Sequence, residues 1–354
     1  MTAPPAAEPD AGRMHPHHPL RWLLVIGTLV AASAFLAPKA HEALDALHKA
    51  SSVSLGWLVV ALLGEAASLV AFSLVTYALI PATLRPRFSR VFRLDLVTIG
   101  LSHAVPAGSA AGTALGYGLL AEEGVDAVPA SFAKVLQSVV SGVMLQLLLW
   151  VCLGLEALVH PATNSHLALS AAGAAMLVLM VGFAVVIVRH GDWTARAAGR
   201  LLGWIPRLSP AKVYRFVREL ERRAHELRQD PKRLAWVCLW SMGNWVFDLV
   251  SLWAALRAFG LPCDTVRLTI AFCLAQVAGA LPISPGGLGL IEGSLVALLA
   301  SFGTANSVAV LGTLVWRLFN FWLPLPVALL AYLAIAWDRR RGVLPRRARA
   351  ECTT

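Results

Sequence analysis

Charge is scarce in this 354-residue chain, where Asp, Glu, Lys and Arg make up 14% of the residues against 58% hydrophobic ones. A soluble domain carries about 25% charged residues, so a fold that must keep itself in water is excluded. Cysteine is scarce as well. Cys152, Cys238, Cys263, Cys273 and Cys352 form no CxxC pair and no metal-ligand spacing, which argues against a zinc site or a disulfide scaffold and leaves them as small hydrophobic residues. Acids are outnumbered, 20 to 30, for a net charge of +10. Such a balance can mark a nucleic-acid partner, but here Lys and Arg gather in short stretches between apolar runs, so none is expected.

Catalytic patterns are missing too. HEALD at His41 lacks the second His of a zinc protease, and Gly287, Gly289 and Gly293 miss the dinucleotide spacing by one residue. No Ser/His/Asp or Cys/His set is marked by position. The expectation is a protein without cofactor or metal that is not an enzyme.

What is present is apolar length, with a mean hydropathy of +0.68. Runs at Trp22 to Ala37, Leu55 to Ile80, Val128 to Val159, Leu167 to Val188, Leu234 to Leu256, Thr269 to Phe302 and Val308 to Trp337 include several of the roughly 20 residues that cross a hydrocarbon core. The fold class is therefore an all-α integral membrane protein, a polytopic helical bundle. Residues 1–21, rich in Pro, Ala and His, read as a disordered cytoplasmic tail, with His15, His17 and His18 solvated. Residues 22–37 read as an uncleaved anchor, with a signal peptide as the alternative.

Orientation follows from Lys and Arg. Residues 81–93 hold Arg85, Arg87, Arg90 and Arg93 with no acid; residues 190–233 and 338–354 are also basic. These read as cytoplasmic, as do both termini, and the stretches at 39–54 and 156–166 as external. Counting crossings then leaves two runs that cannot be single passes, one broken at Pro106 and Gly108, the other at Leu281–Gly293. Each reads as a re-entrant hairpin. The first enters from inside and the second from outside, so the chain is expected to hold two inverted repeats, about 55–160 and 232–338, in one domain over 22–338 with a basic tail at 339–354. Between the repeats, Ala211–Asp230 sets Val213, Phe216, Val217, Leu220, Ala224 and Leu227 on one helical face, the centre of an amphipathic segment over 196–231 that either lies on the cytoplasmic leaflet or is a solvated linker.

The second break, LPISPGGLGLIEG, concentrates Pro and Gly at membrane depth, where irregular backbone is tolerated only against protein or a cavity. Transporters often bind cargo at such breaks. Polar residues inside apolar spans cost free energy and are functional candidates: Glu65, His103, Glu122, Glu123, Lys134, Gln137, Ser138, Ser141, Asn244, Asp248, Gln276, Glu292, Arg317 and Asn320. A cation follows each hairpin, Lys134 and Arg317, and an acid precedes each, Glu65 and Asp248, which predicts charge neutralised in pairs across the repeats. Such pairs either lock helices together or hold a lipid phosphate, which Arg matches in two-point contact. The N–H groups at Gly286, Gly287 and Gly289 would suit an anion as well.

At LPISPGGLGLIEGSL the chain resembles the transmembrane region of the lysylphosphatidylglycerol synthase and flippase family, with its PxSPGGLGxxE signature; VPAGSAAG at residue 105 and EEGV at 122 fit too. The resemblance implies a flippase-like protein of a bacterial inner membrane, without the soluble synthase domain, moving an anionic or head-group-modified phospholipid between leaflets. It carries Pro282, Ser284, Pro285, Gly286, Gly287, Gly289 and Glu292 over as signature residues; by its own place in the break, Glu292 reads either as a coupling residue or as a partner of Arg317. Two other readings stay open: a secondary transporter of a solute or ion, and a non-transporting membrane partner of a lipid-modifying enzyme.

Overall fold

A computed structural model describes residues 53–104, 108–123, 125, 127–159, 218, 222–223, 225–260, 264–281 and 284–341. The runs at 22–37 and 167–188, most of 196–231, the end of the basic tail, Pro106 and Pro282 lie outside them. Among the described residues every regular element is helical.

Helix α1 is Leu55–Leu79. A hydrophobic surround leaves its C-terminal carbonyls needing donors, and two arginines supply them: Arg233 donates to the Ala78 and Leu79 carbonyls at 2.7 Å each, and Arg85 to that of Ile80 at 2.9 Å. Helices α2, Phe88–Ala104, and α3, Gly108–Glu122, form the arms of the first broken run, followed by the long α4, Ala127–Val159. The first arm starts earlier than the apolar pattern predicts, because Arg90 and Arg93 are taken into the helix by pairing with Glu123 and Asp338. Helix α5, Pro231–Arg257, begins with Pro at its first position and with Asp230 accepting from the Arg233 N–H at 3.1 Å. Helix α6, Thr265–Gly279, is capped by Asp264 in the same way. After the second break come α7, Leu290–Ser301, and α8, Asn306–Arg317, which continues through a π-helical turn, Leu318–Trp322, into α9, Pro324–Arg340.

That turn departs from the uninterrupted span that the apolar run at 308–337 predicts. Pro324 has no N–H to return to the carbonyl four residues back and would crowd it; the Leu323 N–H instead reaches the Leu318 carbonyl at 2.8 Å, widening the helix by one residue. Among the described residues three helical stretches, Leu55–Leu79, Pro129–Leu158 and Asn306–Asp338, are long and apolar enough to cross a membrane. Each leaves large apolar side chains bare, among them Leu63, Leu158 and Leu330, which suits hydrocarbon rather than water.

The buried residues fall into three layers. One apolar cluster joins Ala61 of α1 to Leu149 of α4, Leu252 of α5, Phe272 of α6, Leu295 of α7 and Trp316 of α8. A second joins Val75 and Leu79 of α1 to Leu94 of α2, Leu120 of α3, Ala133 of α4 and Ile335 of α9. Between these clusters, along the same helices, lie buried Glu65, Ser68, Gln137, Asp248 and Arg317. Buried charge also lies beside the clusters, at Asp95 and Lys134 next to the second and at Glu156 past the first.

Helix pairing exchanges the two halves. α1 packs along α5, α2 packs on α9 of the other half, and α6 packs on α4. Close approach is possible at Gly64, where an added Cβ would lie 3.0 Å from the Phe247 carbonyl oxygen, and at Gly100, where it would collide with Ala328.

Candidate functional site

The second break is a run of tight backbone. Pro285–Gly287 makes a single 3₁₀ turn, and Gly286, Gly287 and Gly289 take φ of 53°, 70° and 81°, a region that residues with a Cβ avoid. At Gly286 space is also denied, since an added Cβ would strike the Phe321 ring. This geometry lets α7 begin at Leu290, with Glu292 in its first turn. The Glu292 carboxylate reaches back to the Gly289 N–H at 2.6 Å, so this helix start already holds an anion from its own chain.

The other oxygen of Glu292 accepts from Arg317 Nε at 2.6 Å, and Arg317 Nη2 donates to the Gly286 carbonyl at 3.0 Å. The guanidinium carbon lies 4.7 Å from the centre of the Phe321 ring, and His103 stacks on that ring at 4.8 Å. Arg317 thus ties α8 to the break and to the end of α2. Among the described residues its Nη1 has no hydrogen-bond partner.

Here the ends of the two broken runs meet. A cavity of about 310 Å³ is lined by Ser102 and His103 from the first, by Gly279, Ser284, Gly286 and Gly287 from the second, and by Trp245, Gln276, Arg317 and Asn320. Among the described residues the Ser284 hydroxyl and His103 Nδ1 are buried with no hydrogen-bond partner. A pocket with a guanidinium and unsatisfied polar atoms in an otherwise apolar bundle is fitted to a small polar or anionic group.

Behind the cavity wall two carboxyls face each other. Asp248 accepts from Trp316 Nε1 at 2.7 Å, from Asn320 Nδ2 at 3.1 Å and from Gln276 Nε2 at 3.1 Å. Glu65 Oε1 accepts from the same Asn320 amide at 3.4 Å, while Glu65 Oε2 is buried with no hydrogen-bond donor among the described residues. The π-helical turn sets Asn320 between them.

The first half has its own cluster. Lys134 is paired with Asp95 and also donates to Thr76 and Gln137, each at 3.2 Å. Cations and acids are therefore not joined as their sequence order predicts. Lys134 takes Asp95, Arg317 takes Glu292, and Glu65 and Asp248 take each other. The reason is helix pairing: α1 and α5 lie side by side, which brings their acids together, while each cation turns toward a broken run. Of the other predicted residues, Ser138 donates to the Lys134 carbonyl and the Ser141 carbonyl accepts from Trp245. Asn244 bonds Ser68, Gly108 opens α3, and Glu123 pairs with Arg90. Asp95 was not among the predicted residues; it lies just past the basic stretch at 81–93 that reads as a loop, and its partner Lys134 comes from a different helix.

The sequence profile of the family described as the lysylphosphatidylglycerol synthase TM region matches residues 22–328. A UPF0104 membrane protein of Methanothermobacter thermautotrophicus is 24% identical over 329 residues, covering 85% of this chain and 91% of its own. A further match to a UPF0104 membrane protein of the same organism is 32% identical over 83 residues, 23% of this chain and 25% of its own. A UPF0104 membrane protein of Methanocaldococcus jannaschii is 25% identical over 104 residues, 29% of this chain and 31% of its own.

Proposed function

Because the chain belongs to the lysylphosphatidylglycerol synthase transmembrane-region family, we propose that it carries a lipid, anionic or modified in its head group, between the leaflets of a membrane. The observation that carries this reading is the cavity where both broken runs end, with Arg317 in its wall. At about 310 Å³ it is sized for a head group and not for acyl chains. The bare apolar faces of α1, α4 and α9 suit the chains, which stay in the bilayer.

In this reading the two halves are inverted repeats, each with a re-entrant hairpin, crossing the membrane several times. Spacing supports it: the same number of residues separates Glu65 from Asp248, Lys134 from Arg317 and Gln137 from Asn320. Ion pairing supports it as well. Arg93 of the first hairpin binds Asp338 near the end of the second half, at 2.9 Å, and Arg267 of the second hairpin binds Glu156 near the end of the first, at 3.0 Å. Rocking one half against the other would loosen one of these contacts while the other holds, opening the cavity to one leaflet at a time. Arg317, Asn320 and the glycines of the break are the residues assigned to the head group, with Glu292 as the counter-ion that Arg317 leaves when cargo arrives; Lys134, held by Asp95 away from the cavity wall, is given a locking role in its own half.

The test is leaflet exchange of labelled phosphatidylglycerol and of its lysylated form in vesicles holding purified protein. Exchange well above that of protein-free vesicles, lost in Arg317→Ala, is the expected result. A protein-free rate for every anionic and aminoacylated lipid sinks the reading. Uptake of a solute without lipid exchange would favour a secondary transporter instead.

A further inference from the structure

We propose that Glu65 and Asp248 form a binding site for one exchangeable proton, set behind the head-group cavity and linked to it through Asn320 and Gln276. The proposal rests on the lipid-carrying reading only for what the proton does, not for where it binds.

The two carboxyls share one donor, since Asn320 Nδ2 lies 3.1 Å from Asp248 Oδ1 and 3.4 Å from Glu65 Oε1, and they are 3% and 4% exposed. Two buried anions in contact are tolerable only with a compensating charge. The charged and titratable groups of the surrounding helices do not supply it in full. Lys134 of α4 is committed to Asp95 of α2, and Arg317 of α8 is held by Glu292 of α7. His103 of α2 stacks on Phe321, beside Arg317 itself. Arg317 acts on the pair from a distance, with three acids sharing its one charge.

Hydrogen bonding separates the two partners. Asp248 receives three N–H donors, from Trp316, Asn320 and Gln276, and so is furnished as a carboxylate. Glu65 receives one long contact, and its second oxygen has no donor. That oxygen is where a proton completes the site, as the O–H that Asp248 accepts. A single proton on that oxygen removes one of the two negative charges and turns the repulsion between the carboxyls into a hydrogen bond.

The link to the cavity is direct, since Asn320 and Gln276 line it and donate to Asp248. When an anionic head group draws on Arg317, the field that both carboxyls share weakens, and a proton taken from the same aqueous side restores the balance. Release of the head group on the other side returns the proton there.

Infrared difference spectra of the full chain in bilayers, recorded through a pH titration in H₂O and D₂O, test the site. The expected signal is a carboxylic-acid C=O band that D₂O shifts down, absent in Glu65→Gln and displaced in its midpoint in Asp248→Asn. No such band, or one that both variants leave unchanged, overturns the proposal. In vesicles, a one-unit pH difference is expected to drive an accumulation ratio of the lipid approaching about tenfold, for one proton per lipid, and Glu65→Gln is expected to abolish it while remaining folded by its cooperative melt. Accumulation that ignores the pH difference in the wild type overturns the coupling. A band without any lipid movement keeps the proton site and sinks the lipid reading, whereas lipid movement without a band does the reverse.

Discussion

Glu292 serves two neighbours at once, capping the Gly289 N–H with one oxygen and holding Arg317 with the other. Removing it as Glu292→Ala strands a buried guanidinium, and breaking a buried pair from one side costs about 3–5 kcal/mol. Thermal unfolding in detergent is expected to show that loss, with the double variant Glu292→Ala, Arg317→Ala costing less than the two single changes added together. Gly286→Ala is expected to cost roughly 1–3 kcal/mol by the same measurement, because its positive φ is strained for any Cβ and the Phe321 ring stands in the way. Both residues were legible in the sequence, since an acid or a cluster of glycines inside an apolar run weakens a spanning helix unless a site requires it. Asp95 was not, because its charge is cancelled by a lysine that arrives from a helix 39 residues later in the chain. The choice of partner for each buried charge is a property of packing, and letters spaced along one chain do not carry it.

Helices in this molecule meet where glycine lets them. At Gly100 and Gly312 an added methyl would overlap Ala328 and Leu256, so Gly100→Ala and Gly312→Ala are expected to push α2 from α9 and α8 from α5. Overpacking of this kind costs about 1–3 kcal/mol. Gly154 sits in α4 with open space around it. There Gly154→Ala is expected to stabilise by roughly 0.5–1 kcal/mol through helix propensity alone, and melting temperatures of the three variants give the comparison. Gly293 likewise has no neighbour that an added Cβ would meet, whereas Gly289 is held by its positive φ. The break itself was readable from Pro and Gly. The π-helical turn was not, although Pro324 is its cause, because a proline also allows a kink or a stop.

At the scale of the molecule, the apolar runs set the class, and the polar residues within them marked the middle layer before any helix was placed. Which helix packs on which could not be counted from crossings. The exchange of partners, α2 onto α9 and α6 onto α4, follows from side-chain fit along whole faces. It predicts that the chain cut within residues 160–217 and made as two co-expressed pieces will assemble, with the pieces purifying together through a tag on either one. Each piece made alone is expected to be degraded, as pulse-chase labelling would read. Reversing Arg93→Asp should weaken the wild-type assembly, and adding Asp338→Arg should restore it.

The contact between Arg93 and Asp338 also fixes an order of events during synthesis. The ribosome finishes Phe88–Ala104 long before it reaches Asp338, so this helix leaves the insertion machinery with its longest packing face still unmatched. Until Pro324–Arg340 emerges, that segment must be sheltered by lipid, by the translocon or by a membrane chaperone, so a helix made early is sealed in place by one made more than 200 residues later.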